Sequence, residues 1–272
     1  MKMGQRIHLV RAFVAVFVGL ALWPVSSSAQ VFEVIHPDVI EGGFEFESLN
    51  GVVLDSVEDG DERSAHEVAI GYAPTDFWKT KFAIEIANPE GEPGEYEAFE
   101  WENVFLLPFG EGHGAHGSHD HGSHDHGHGD DQFFALEAIG IFAALEVPNE
   151  GGFDSGAVEV GPIAEFKIGP LQTIANFFFG IPFDDDENTG IAYAVQVKYP
   201  VLSQLGIGFE SFGEVENVFE SDTEEGYFIG PAIFSEFDLG RNRILEPRAA
   251  VLFGLSDDTP DAILSINVEL KF

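Results

Sequence analysis

The chain has 272 residues, with 12 basic against 48 acidic side chains, a formal net charge of −36 and no cysteine. Such an acidic balance excludes nucleic acid as a partner and argues against simple attraction to anionic lipid. Without thiols there are neither disulfides nor thiolate metal ligands.

The N-terminus reads as an export signal over residues 1–29. Lys2, Arg6 and Arg11 precede the apolar run Ala12 to Leu22, and Trp23-Pro24 and the small residues Ser26-Ser-Ser-Ala29 follow. The apolar run is too short to span a bilayer, and the stretch ends in an alanine suited to cleavage before Gln30 or Val31. Removing it leaves nine basic residues against forty-eight acidic ones, a charge of −39. Residues 30–42 are expected as a periplasmic N-terminal segment. Beyond the signal no apolar run approaches a transmembrane helix, so a mature chain in a membrane crosses it as strands.

About twelve strands follow, bounded by Gly, Pro, Asn or Asp clusters: 43–53, 64–73, 78–88, 95–107, 132–146, 156–168, 171–181, 190–199, 205–215, 226–237, 244–255 and 262–272. Side chains alternate faces along a strand, and several segments show it. Trp78, Thr80, Phe82, Ile84 and Ile86 oppose Lys79, Lys81 and Glu85. Ile191, Tyr193, Val195, Val197 and Tyr199 oppose Gln196 and Lys198. In the last strand Ala262, Leu264, Ile266, Val268, Leu270 and Phe272 share one parity. Ser265, Asn267, Glu269 and Lys271 share the other, with Ile263 as the exception.

The connections alternate too. Odd-numbered ones are acidic (Asp55 to Glu62, Asn88 to Glu95, Pro148 to Asp154, Asp184 to Glu187, Glu216 to Glu225, Asp257 to Asp261). Most even-numbered ones are short and nearly free of acid, as at Gly169-Pro170 and Leu239 to Arg243. Every basic residue of the mature chain except Arg63 lies in the even turns or beside them. A chain alternating between two kinds of turn runs up and down between two environments. The fold class expected is all-β, an antiparallel up-and-down transmembrane β-barrel over 43–272. A soluble β-sandwich or barrel is the alternative, with Phe133-Phe134 and Phe177-Phe178-Phe179 as its core.

The fourth connection breaks the even-turn rule. Residues 110–131 form a glycine-rich, low-complexity loop in which Gly-Ser-His-Asp-His occurs twice, and it holds seven of the ten histidines. His113, His116, His119, His121, His124, His126 and His128, with Asp120 and Asp125 interleaved, are the candidate metal ligands. Neutral imidazole suits Zn, Ni, Cu and Co, and carboxylates complete a shell. Many equivalent ligands on a flexible loop give multidentate, unselective capture that weakens as pH falls through the imidazole range. An expansion tolerated in a solvated loop is the plainer reading. By parity the loop lies on the side of the termini, the periplasm. His36 and His66 stand alone and are expected to be structural or incidental.

The signal-like N-terminus, the strand rhythm of 43–272 and the alternating last strand ending on Phe272 together resemble Gram-negative outer-membrane β-barrels. In these the terminal phenylalanine belongs to the signal read by the barrel assembly machinery. The resemblance implies residence in the outer-membrane bilayer and that machinery as a partner. The stretch Glu67-Val-Ala-Ile-Gly-Tyr-Ala-Pro-Thr-Asp-Phe-Trp78 is also similar to those of putative transporter barrels of the meta-pathway phenol-degradation type, which supplies no binding residues.

Parity places Lys79, Lys81, Glu85, Glu100, Glu102, Glu159, Glu165, Lys167, Lys198, Glu210, Glu236, Glu246, Arg248, Glu269 and Lys271 inside the barrel. Facing charges of both signs form either a salt-bridged plug or the lining of a narrow aqueous path. No serine-nucleophile motif, His-Glu-x-x-His, phosphate loop or dinucleotide fingerprint is present, so no enzyme and no required cofactor are expected. The function expected is a small-solute channel or transporter, cation-preferring because acidic outer loops repel anions. Its His-rich loop would sense or collect divalent transition metal. A non-conducting structural or metal-binding barrel is the alternative.

Overall fold

In the computed structural model the described residues are 31–54, 62–89, 94–108, 133–149, 152–183, 189–215, 218, 225–256 and 259–272. The expected signal peptide and the histidine-rich loop lie outside them. Alternation carries the chain into twelve long strands and one two-residue stub. They are β1 (Phe44–Val53), β2 (Glu62–Tyr72), β3 (Trp78–Pro89), β4 (Glu95–Leu106), β5 (Phe134–Pro148), β6 (Ala157–Ile168), β7 (Leu171–Pro182), β8 (Gly190–Leu202), β9 (Leu205–Val215), β10 (Glu225–Ser235), the stub β11 (Phe237–Asp238), β12 (Ile244–Gly254) and β13 (Ala262–Lys271).

Every long strand pairs antiparallel with its neighbours in sequence. β1 closes on β13, Glu45 opposite Lys271, and β10 bridges past the stub to β12. Closure leaves no strand edge unpaired, which a sheet inside hydrocarbon requires.

The two faces of the wall differ as a membrane demands. Val68, Ile70, Phe82, Ile84, Ile207, Phe209, Ile233 and Phe253 point outward and are all more than 40% exposed. Their neighbours in sequence, such as Ala69 and Ala83, point inward and are buried. A continuous outer belt of branched and aromatic side chains is the lipid face of a barrel, not the surface of a water-soluble one. No helix among the described residues is long and apolar enough to cross a membrane.

Ring pairs gather at the end of the barrel that holds the even-numbered connections. Phe44 lies 4.6 Å from Tyr72 and 6.0 Å from Phe272, Trp78 stacks on Phe105 at 6.3 Å, and Phe134 meets Phe166 at 5.6 Å. They form an interfacial girdle. The flanks of the histidine-rich loop emerge at this same end, tied to neighbouring turns by Leu106 N donating to Phe77 O and Gly169 N donating to Phe133 O.

The residues expected as a periplasmic N-terminal segment pack against the barrel wall. Residues 31–40 run in extended, non-strand form inside the barrel. Phe32 meets rings on β9 and β10, Glu33 reaches β3, Ile35 bonds β7, and Asp38 reaches β3 and β13. A single segment touches walls this far apart in the sheet order only from within. Phe32, Val34 and Ile35 are apolar, and burial among lumen-facing rings removes them from water, which solvation in the periplasm would not.

Candidate functional site: the lumen and its inner segment

The inner segment has no ladder partner, so its backbone must be satisfied by side chains. Asn176 on β7 does this at two points: its Oδ1 accepts from Ile35 N at 2.8 Å and its Nδ2 donates to Ile35 O at 2.9 Å. Asn267 Nδ2 on β13 donates to Phe32 O at 2.9 Å, and Arg248 Nη2 on β12 donates to the same oxygen at 3.2 Å. Apolar contacts complete the seat. Phe32 packs against Phe212 and Phe228 with ring centres 4.9 and 5.0 Å apart, and Ile35 belongs to a cluster with Val104, Phe142, Ile163 and Phe178.

Lys81, Lys271, Lys79 and Arg248 hold acids of the segment or of the wall. Lys81 Nζ lies 2.5 Å from Glu33, 2.9 Å from Glu47, 3.1 Å from Glu102 and 4.0 Å from Glu67. Lys271 binds Asp38 at 2.6 Å, Glu246 at 2.9 Å and Glu269 at 3.3 Å, and Lys79 adds Glu45 at 3.1 Å and Asp38 at 3.5 Å. Arg248 pairs with fully buried Glu210 at 3.1 Å and donates to Gln196 Oε1 at 3.3 Å. Four carboxylates around Lys81 leave that centre with a surplus of negative charge.

The segment divides the lumen into two unlike halves. Toward the odd-numbered connections a cavity of about 510 Å³ is lined by Glu33, Glu67, Glu85, Glu100, Glu146, Glu159 and Glu214, with Phe142, Phe178, Phe212, Phe228 and Tyr193 between them and, among the described residues, no basic one. Toward the even-numbered connections a cavity of about 280 Å³ mixes Lys198, Arg248 and Lys271 with Asp38, Glu47, Glu165, Glu236, Glu246 and Glu269.

The inward parity expected from sequence holds for the charged residues it named. Lys167 sits at the mouth, half exposed, and pairs with Glu137 at 3.0 Å. Glu45, Glu47 and Glu67 were missed, although Phe44-Glu-Phe-Glu47 alternates cleanly. So were the inward rings Phe142, Phe178, Phe212 and Phe228, because a buried phenylalanine and a lipid-facing one look alike in sequence. Ile263, the exception of the last strand, points inward and is fully buried.

The candidate ligands His113, His116, His119, His121, His124, His126, His128, Asp120 and Asp125 lie outside the described residues. His66 is structural: Nδ1 meets Asn50 Oδ1 at 2.9 Å and Nε2 meets Ser64 Oγ at 3.2 Å. Among the described residues Glu33, Glu67 and Glu102 bring carboxylate oxygens within 4.8 Å of one another, and the Lys81 ammonium already serves them.

No protein-family model and no curated protein matches the chain. Among solved structures it is similar in chain path to the NanC porin (TM-score 0.47, 8% identity, 84% of this chain and 98% of that one). It is similar also to the KdgM porin in complex with disordered oligogalacturonate (0.46, 9%, 85% and 98%) and to the translocator domain of the autotransporter NalP from Neisseria meningitidis (0.43, 10%, 98% and 95%). The architecture is that of an outer-membrane β-barrel, closed and girdled by apolar side chains. The chemistry of the lumen is this chain's own.

Proposed function

We propose that the protein is an outer-membrane channel for small solutes that prefers cations, with residues 31–41 narrowing the path from within. The observation that carries this is the asymmetry of the lumen: among the described residues, seven carboxylates and no basic side chain line the cavity on the odd side of the segment. Low-dielectric walls lined by one sign of charge concentrate counter-ions and repel co-ions. The odd-numbered connections continue the same sign outward, with Arg63 the one basic residue beside them.

The histidine-rich loop belongs to the proposal as a collector of divalent transition metal. Its described flanks, Leu106 and Phe133, lie at the end shared by Gly42 and Phe272, the periplasmic side in this reading. A non-conducting barrel is the second reading, favoured by the ion pairs that pin the segment across the lumen.

Planar-bilayer conductance of the refolded mature chain separates the two. A channel gives current whose reversal potential in a KCl gradient follows potassium, and deletion of residues 31–40 raises the single-channel conductance several-fold. Silence from both proteins, with correct folding, would leave the structural barrel.

A further inference from the structure

Resting on the cation-preferring reading above, we infer that the odd-side cavity is a binding site for organic diammonium ions, two amines joined by a short methylene stem. Its volume of about 510 Å³ is that of a small-molecule site. Its lining combines two features a stemmed amine needs and a hydrated metal ion does not. Carboxylates from different strands, among them Glu67, Glu100 and Glu159, are spread around the wall to take ammonium groups at separate points. Between them stand the rings of Phe142, Phe178 and Phe212, which give a methylene stem apolar contact and an ammonium the face of a π-system.

A second observation points to a hydrogen-bond donor from outside. Glu67 is only 5% exposed, and its Oε1 has no hydrogen-bond donor among the described residues. The nearest ammonium, that of Lys81, is 4.0 Å away, beyond hydrogen-bond range. A buried carboxylate oxygen left bare is costly, and Glu67, which lines the cavity, can turn its carboxylate toward an ammonium that enters. Hard divalent metals instead require six or more oxygens converging on one point, and the convergence of Glu33, Glu67 and Glu102 offers three carboxylates with the Lys81 ammonium already among them.

The test is calorimetric titration of the refolded full-length protein in detergent with 1,5-diaminopentane, against MgCl2 at equal ionic strength and the neutral isostere 1,5-pentanediol. The diammonium ion is expected to bind about tenfold or more tighter than Mg²⁺, with no heat from the diol. Glu67→Gln weakens it about fivefold or more, and Phe178→Leu, which keeps the apolar volume and removes the ring, weakens it without touching a charge. Far-UV circular dichroism and heat-modified gel mobility establish that each variant is folded, and Glu100→Gln serves if Glu67→Gln is not. Equal affinity for Mg²⁺, or unchanged affinity in the folded variants, overturns the site and leaves a diffuse acidic sink. Binding without conductance would instead overturn the channel reading and spare the site, and conductance without binding would do the reverse.

Discussion

Lys81 on β3 and Glu33 on the inner segment meet at 2.5 Å, a wall residue and a lumen residue joined at the centre of four carboxylates. The two partners are not equivalent. Removing the ammonium leaves four buried acids with nothing to balance them, whereas removing Glu33 relieves part of the surplus. Lys81→Met is therefore expected to destabilise the barrel by on the order of 3–5 kcal/mol, the range for breaking a buried pair from one side. Glu33→Gln keeps an acceptor for Lys81 and should cost less than about 1 kcal/mol. Urea unfolding in detergent measures both, and equal effects would mean that the surplus charge is not felt.

Asn176 holds the backbone of Ile35 at both its N–H and its C=O. Asn176→Ala strands two buried backbone groups, at about 1–3 kcal/mol each. Asn176→Asp keeps the acceptor and loses the donor, so it falls between. The chain has no cysteine, so a single Val34→Cys reports on the segment without interference. Val34 is 3% exposed when the segment is seated. Its labelling by a water-soluble maleimide should rise about tenfold or more in the Asn176→Ala background, with Asn176→Asp intermediate. Equal labelling in all three would show that the clamp does not hold the segment.

The wall was legible in sequence because the membrane forces a simple rule on it. In β3, Phe82, Ile84 and Ile86 had to face lipid while Lys79, Lys81 and Glu85 faced the lumen, and alternation alone fixed the register. The interior was less legible because no such rule governs it. Phe177, Phe178 and Phe179 are identical letters, yet only Phe178 points inward, toward Phe142 at 5.1 Å. The inner segment was hidden for a further reason. It pairs with nothing through a ladder and is held by side-chain contacts from scattered residues such as Lys81, Asn176 and Asn267, 48, 141 and 235 positions away. No local pattern in Phe32-Glu-Val-Ile-His36 encodes such partners.

Two strands carry a Gly-Pro pair at a break in the ladder. β6 loses pairing with β7 between Val160 and Ile163, and β10 loses pairing with β12 between Ile229 and Ala232. Proline has no N–H to give, and the glycine before it lets the neighbouring backbone come close. A Cβ on Gly230 would lie 1.7 Å from Val251 O, and one on Gly161 would lie 1.8 Å from Phe177 O. Both contacts are with backbone, so the strands themselves must move. Gly230→Ala should cost about 1–3 kcal/mol or block assembly. Gly180→Ala, with nothing within 4 Å, should stay within about 0.5 kcal/mol. The heat-modified shift on semi-native gels reads the difference, and a fully folded Gly230→Ala with unchanged melting would contradict the close approach.

The histidine-rich loop of residues 110–131 makes a prediction with a definite sign in pH. A proton and a metal ion compete for the same imidazole lone pair, and a free histidine side chain takes up its proton at about pH 6.5. Above that value the neutral ring is a ligand, and below it the charged ring is not. Capture of Ni²⁺ or Zn²⁺ should therefore be strong at about pH 7.5 and fall by tenfold or more by about pH 5.5, since several rings must each lose a proton to bind together. Deletion of 110–131 should abolish binding while leaving the melting temperature unchanged, because β4 and β5 pair through their own ladder from Ala98 opposite Pro148 to Leu106 opposite Gly140. Binding that persists unchanged to about pH 4.5 would assign the capture to carboxylates instead, of which the loop holds Glu111, Asp120, Asp125, Asp130 and Asp131.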